Sequence, residues 1–178
     1  GIFLGTKEVD NYFLYGAREH YPEVWERMAS LVPGNFRKNI SKYYYKKIIS
    51  GSKKESDKYA KEWARYEFSI SKLEYNDKKV IDLLKEIKYK AFSPIELHYL
   101  TNNCFMSENY ILRNAHRIKG IPVSIIHGRY DMVCSPLSAY LLHKQIKTSK
   151  LFFTVGGHSA SDPETEKVLV REINGIVR

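Results

Sequence analysis

At 178 residues the chain has the length of one domain, enough to bury about 70% of the surface it exposes when unfolded, so its stability should not depend on covalent staples. Lys and Arg number 29 against 20 Asp and Glu, giving a formal charge of +9, while 43% of residues are hydrophobic and Tyr alone contributes 14. That balance excludes disorder over most of the chain and describes a basic, aromatic-rich globular protein. Cys104 and Cys134 can make neither a disulfide framework nor a CxxC metal clip, which points to free thiols in a reducing, cytoplasmic compartment. The longest apolar runs, such as 121–126, are far too short to span a bilayer, and residues 1–5 lack the pattern of a signal peptide.

In chain order, Gly1-Ile2-Phe3-Leu4 reads as a strand already in progress, without an initiating Met. Helices follow. Tyr21-Pro22-Glu23 is a helix opening, with Trp25, Met28, Ala29 and Val32 at helical spacing before Pro33-Gly34 ends the run. Phe36, Ile40, Tyr44 and Ile48 recur every four residues up to Gly51, which suits a C-terminal cap. Ser52-Lys53-Lys54-Glu55 has capping-box spacing, and Tyr59, Trp63, Tyr66 and Ile70 then step along one helix face while the opposite face is rich in Lys. A loop is expected around Tyr75-Asn76-Asp77, a short helix over 80–87, and another helix start at Ser93-Pro94-Ile95-Glu96.

From Gly120 the pattern changes. Ile121-Pro122-Val123-Ser124-Ile125-Ile126 is a β-branched apolar run of the kind found in buried strands, and it leads into His127-Gly128-Arg129-Tyr130-Asp131. Ser135-Pro136 opens an amphipathic helix to about Lys147. Leu151 to Val155 is a second strand, leading into Gly156-Gly157-His158, and Asp162-Pro163-Glu164 caps a last helix with Val168, Leu169, Ile173, Ile176 and Val177 on its inner side. Strand, helix, strand, helix with short loops argues for a parallel sheet.

In open parallel sheets functional groups gather in the loops past the carboxyl ends of the strands, and Asp131 and His158 occupy such loops on consecutive strands. A carboxylate there can hold an imidazole in one tautomer and stabilise the imidazolium that forms during acyl transfer. The chain order Asp before His is that of α/β-hydrolases, in which the serine comes first. The competing reading is a turn Asp and a loop His beside glycines. No Gly-x-Ser-x-Gly occurs, and neither Ser124 nor Ser159 sits on a strand-to-helix elbow, so the nucleophile is missing; Cys134, in the Asp131 loop, reads as a buried bystander.

Leu112-Arg113-Asn114-Ala115-His116-Arg117-Ile118, Ile121-Pro122, the segment His127 to Cys134, and Gly157-His158-Ser159 closely resemble the C-terminal part of proline iminopeptidases, α/β-hydrolases that remove N-terminal proline from peptides. Gly1 to Leu4 resembles the strand after that family's nucleophile elbow, and Gly16-Ala17, Tyr21-Pro22 and Trp25-Glu26 resemble the start of its helical cap. The resemblance implies an α/β-hydrolase fragment: strand 1–5, a mostly helical cap over 6–118, and the last strands and helices of the sheet over 119–178. It also implies that Asp131 and His158 are triad members, with the serine and an oxyanion loop lying before Gly1.

An aminopeptidase must hold a cationic chain terminus, and a partly desolvated carboxylate does so through charge-assisted hydrogen bonds. Glu67 lies four residues after Trp63 and beside Tyr66, so it borders the apolar stripe of its helix instead of the Lys-rich face. It resembles the cap glutamate that follows an aromatic in the family, with Tyr here in place of Trp. Glu96, in Ile95-Glu96-Leu97-His98-Tyr99, resembles the family's Ile-Glu-Asn-His-Tyr-Phe segment, and the family would give it the same amine-binding role; Ser93-x-x-Glu96 is equally a capping box. His20, His98, His116, His127 and His143 show no ligand spacing, and hydrolysis with water needs no cofactor, so neither metal nor cofactor is expected. Tyr12, Phe13, Trp25, Trp63, Tyr99 and Phe105 could line a proline-sized pocket, although aromatics at helical spacing more often form core.

Between Arg37 and Arg65 there are ten Lys or Arg against three acids, interleaved with Tyr43, Tyr44, Tyr45 and Tyr59. Cations with rings would suit a nucleic-acid surface, but these charges fall on the outer faces of helices and no RNP, KH or zinc signature is present, so neither nucleic acid nor membrane is expected as a partner. An esterase or epoxide hydrolase on the same scaffold would need neither Glu67 nor Glu96.

Overall fold

The computed structural model describes residues 2–176. The helical layer begins with irregular turns up to His20 and then α1, Pro22–Ser30, whose Pro stands in the first turn and whose Val24, Met28 and Ala29 are buried. A 3₁₀ turn, Gly34–Asn39, delays the next helix, so Phe36 is 48% exposed and packs on Tyr43 instead of joining the inner stripe. α2, Ile40–Ser50, buries Ile40, Tyr44 and Ile48 at successive four-residue steps. α3, Lys53–Ser71, is opened by a complete capping box, in which Ser52 Oγ accepts from Glu55 N and Glu55 accepts from Ser52 N. It buries Tyr59, Trp63, Tyr66, Glu67 and Ile70. α4, Asp77–Glu86, is capped by Asn76, which accepts from Lys79 N at 3.0 Å.

α5, Tyr89–Thr101, corrects the expectation of a helix start at Ser93. The helix begins four residues earlier and carries Pro94 inside it. Ser93 is fully buried and its hydroxyl donates to the Ala60 carbonyl at 2.7 Å, tying α5 to α3, so it is not a cap and forms no capping box with Glu96. Packing of α5 on α2 and α3 compensates for the backbone bond that Pro94 cannot make. Around Trp63, Tyr44, Tyr66 and Phe13 these helices close one apolar core, with Ala64, Val80 and Leu84 as a smaller satellite. The short α6, Tyr110–Asn114, leads to the strand region.

β1, Ser124–Gly128, runs parallel to β2, Lys150–Thr154, with Ser124 opposite Lys150 and Gly128 opposite Thr154. α7, Pro136–Gln145, connects them and α8, Pro163–Ile176, follows. Ile125, Ala139, Leu142 and Ile146 form the core of this unit. β1 starts later than the apolar run because Pro122 has no N–H to give to a ladder, and Ile121 is left 55% exposed.

Two expectations fail. Residues 2–5 form no strand, because among the described residues the sheet has only β1 and β2 and offers no neighbour; Leu4 N bonds the Glu8 carboxylate instead, at 3.1 Å. Gly1 lies outside the described residues. In α8, Val168 faces inward but Ile173 is 58% exposed, since two short strands are too narrow to cover the whole helix; the Ile176 side chain and Val177 lie outside the described residues. No helix among the described residues is long and apolar enough to cross a membrane.

Candidate active site

The chain leaves both strands at the same edge of the sheet, and the two loops are knitted together by Arg129 N to Thr154 O at 2.8 Å and Tyr130 N to Gly156 O at 3.0 Å. The approach is so close that a Cβ on Gly128 would lie 2.0 Å from Gly157 O, which is why glycine stands there. Asp131 is fully buried at the head of the first loop. Its Oδ1 accepts from Val133 N at 2.9 Å and Cys134 N at 2.8 Å, an Asx-type turn that fixes the carboxylate. The same carboxylate meets His158 Nδ1, at 3.2 Å from Oδ1 and 3.1 Å from Oδ2. Turn residue and histidine partner are therefore one and the same.

Burial alone would raise the Asp131 pKa, but the His158 imidazole and the Cys134 N–H overcome it and hold the group below the ordinary carboxylate value. Facing an ionised carboxylate, His158 carries its proton on Nδ1 and donates it to Asp131. Nε2 is left with its lone pair and makes no hydrogen bond among the described residues, on a side chain 28% exposed. This is the arrangement of a general base awaiting a proton donor.

His127, which sequence reasoning passed over, flanks Asp131 on its other side. Its Nε2 is 3.0 Å from Cys134 O and 3.4 Å from Asp131 Oδ2, and its Nδ1 is buried without a hydrogen-bond partner. Burial pushes its pKa down, so the ring is neutral and donates from Nε2 to the Cys134 carbonyl. The available signal was the two-residue strand period, which places His127 on the same buried face as Ile125. Tyr12, whose hydroxyl donates to Asp131 O at 2.6 Å, fastens the loop to the helical layer. Burial, with Asp131 next in weight, pushes the Cys134 thiol up to about 12, which fits a bystander better than a nucleophile. Ligand atoms of Asp131, Cys134 and His158 lie within 4.8 Å of one another.

The two acids singled out from the helices meet across α3 and α5. Trp63 Nε1 donates to Glu96 Oε2 at 2.5 Å, and the Glu67 and Glu96 carboxyls interact side chain to side chain. Burial, reinforced by the neighbouring Glu96, pushes the Glu67 pKa well above the ordinary value. Glu96 is raised as well, by burial, though the Trp63 and Glu67 hydrogen bonds, and His158 when it is protonated, pull it partly back. Glu67 Oε2 is buried and has no hydrogen-bond partner among the described residues. His158 acts electrostatically on Glu96, and Glu67 on Cys134, so the carboxyl pair and the Asp131–His158 couple lie within electrostatic reach of each other.

Comparison with known proteins agrees with the motifs. Over 178 residues, 98% of this chain, the sequence is 34% identical to a proline iminopeptidase of Xanthomonas citri, and over 174 residues it is 33% identical to one of Arabidopsis thaliana. The chain is a relative of the proline iminopeptidases. It covers 57% of the Xanthomonas protein and 46% of the Arabidopsis one, so it spans about half the length of the curated relatives it matches. No protein-family model matches. Among solved structures, an esterase from Exiguobacterium antarcticum superposes with a TM-score of 0.49 at 17% identity, over 78% of this chain and 47% of that one. The helical layer with its parallel strand–helix–strand–helix unit fits part of an α/β-hydrolase.

In this relative of the proline iminopeptidases the aromatic candidates divide. Phe13 and Trp63 are core, Phe13 standing edge-on to Trp63 at 5.8 Å and to Tyr66 at 5.3 Å. Trp25 is half-buried, whereas Tyr99 and Phe105 are 51% and 62% exposed and pack on each other. Of the other histidines, His98 pairs with Tyr45 and His143 with Ser149. In the basic region Lys42 and Lys46 point outward, Tyr44 and Tyr59 are buried, and Tyr43 and Tyr45 are half-buried.

Proposed function

We propose that this chain belongs to a serine-type aminopeptidase that releases N-terminal proline from peptides, and that the nucleophilic serine and oxyanion loop come from polypeptide preceding Gly1. The carrying observation is the occurrence together of an oriented imidazole and a buried carboxyl pair on α3 and α5. The relatives' names and the near-complete coverage of this chain support the same reading.

In the proposed reaction the serine hydroxyl gives its proton to His158 Nε2 as its oxygen attacks the prolyl carbonyl. Asp131 holds the imidazole in register and stabilises its charge. His158 returns the proton to the departing amine, and a water molecule then hydrolyses the acyl-enzyme in the same way, releasing proline. Glu67 and Glu96 bind the imino nitrogen. Burial and their mutual proximity favour keeping a proton on the pair, so that it can balance one ammonium without stranding a second buried charge. A blocked terminus brings no charge and leaves that carboxylate uncompensated, which is the basis proposed for exclusion of internal peptides. An esterase or epoxide hydrolase would have no use for the pair.

In this reading residues 6–118 form the cap and 119–178 complete the catalytic domain; the free thiols Cys104 and Cys134 suit a cytoplasmic protein whose partners are peptides. The test is release of a chromogenic amine from a proline amide by the complete polypeptide. His158→Ala is expected to reduce turnover by at least a thousandfold, and full activity of that variant would refute the reading.

A further inference from the structure

Asp162 stands immediately before Pro163 at the start of α8, where the sequence marks it as a helix cap. It is 4% exposed, and among the described residues the N–H groups bonded to its carboxylate are not those of the first turn of α8. Oδ2 accepts instead from Gly157 N at 2.6 Å, the residue before His158, and from Leu73 N at 3.3 Å, just past the end of α3. A second bond joins the same two segments, Ser159 N to Ser71 O at 2.9 Å. Ser71 is itself tied to the Glu67 carbonyl, its hydroxyl donating at 2.7 Å. The His158 loop is thus gripped on both sides of the histidine by the terminus of the helix that carries Glu67. The seat is tight: a Cβ on Gly157 would lie 2.7 Å from Ser71 O and 2.9 Å from Leu73 N.

We propose that Asp162 is a positioning residue, a clasp that fixes the His158 loop to the end of α3 and so sets the distance between the base and the amine-binding carboxyls. The inference rests on the proposed role of His158. Two sites on different elements, one binding the substrate nitrogen and one moving a proton at its carbonyl, must keep a fixed separation for a substrate as short as a single residue. Misplacement of a catalytic group by about 1 Å can cost about a hundredfold in rate.

The experiment compares Asp162→Asn and Asp162→Ser in the complete polypeptide, with His158→Ala as reference. The Asn amide oxygen can take the place of Oδ2 and keep both bonds, so this variant is expected to retain kcat within about threefold. Ser is too short to reach Gly157 but caps a helix well, so α8 and the folded state should persist. Its kcat on a proline amide is expected to fall by at least about tenfold with KM changed less than about threefold, at an unchanged unfolding transition. Wild-type kcat in the Ser variant overturns the proposal. So does a loss that follows loss of folded protein, or an Asn variant as impaired as Ser. Should His158→Ala itself stay active, the base assignment fails and the clasp with it; an inactive His158→Ala beside a fully active Ser variant refutes the clasp alone.

Discussion

Glu67 and Glu96 titrate near 4.5 when solvated, and both are raised in the folded chain, foremost by burial. A carboxyl raised in this way contributes stability that is fully present below its unfolded value and is lost as pH rises through its folded value. Glu67→Gln is therefore expected to stabilise the fold, and to do so more at pH 8 than at pH 5, as read from thermal unfolding, while it weakens capture of a free-amine substrate at least about tenfold in kcat/KM. Asp131 has the opposite sign: held below 3.8, it supports the fold above that value and loses its contribution as pH falls through the lower folded one. Asp131→Asn should accordingly destabilise at pH 7, and less as pH falls below 3.8. Glu67 was legible because an acid on the border of an apolar stripe is out of place. Its contact with Glu96 was not, since register between α3 and α5 depends on Ser93 bonding Ala60 O, a non-local contact that the apparent capping box disguised.

Among the elements, the loops at the strand ends carry the tightest constraints. Gly120 has φ +93° with open space where a Cβ would sit, so Gly120→Ala should cost about 1–2 kcal/mol from backbone strain alone. At Gly128 the Cβ would meet the Gly157 carbonyl at 2.0 Å, and Gly128→Ala is expected to cost more than Gly120→Ala and to reduce activity as well, by driving the Asp131 and His158 loops apart. Chemical denaturation of the two variants makes the comparison. Both strands, their parallel pairing and the capping box of α3 were readable from local pattern. The strand boundaries were not, because Pro122 moved the start of β1. Asp162 read as a cap, and only the fold shows its carboxylate turned toward Gly157 and Leu73.

At the scale of the molecule, a two-stranded sheet carries both halves of the Asp131–His158 couple while Leu137, Tyr140, Val170 and Ile173 lie exposed on the flanking helices, at 59%, 45%, 52% and 58%. Residues 1–178 expressed alone are expected to show no turnover and to self-associate, as light scattering would reveal, because an open strand edge and apolar helix faces invite pairing. Residues 2–5, expected as a strand, have no partner strand among the described residues. The proposed activity requires a hydrolytic base and an amine clamp to act on one substrate. Its most direct test is the ratio of kcat/KM for a proline anilide with a free imino group to that for the N-acetylated anilide, in the complete polypeptide and in Glu67→Gln/Glu96→Gln. The expected result is a preference of at least a hundredfold for the free imino group that collapses in the double variant; equal rates on both substrates, or a preference that survives loss of both carboxylates, would contradict it.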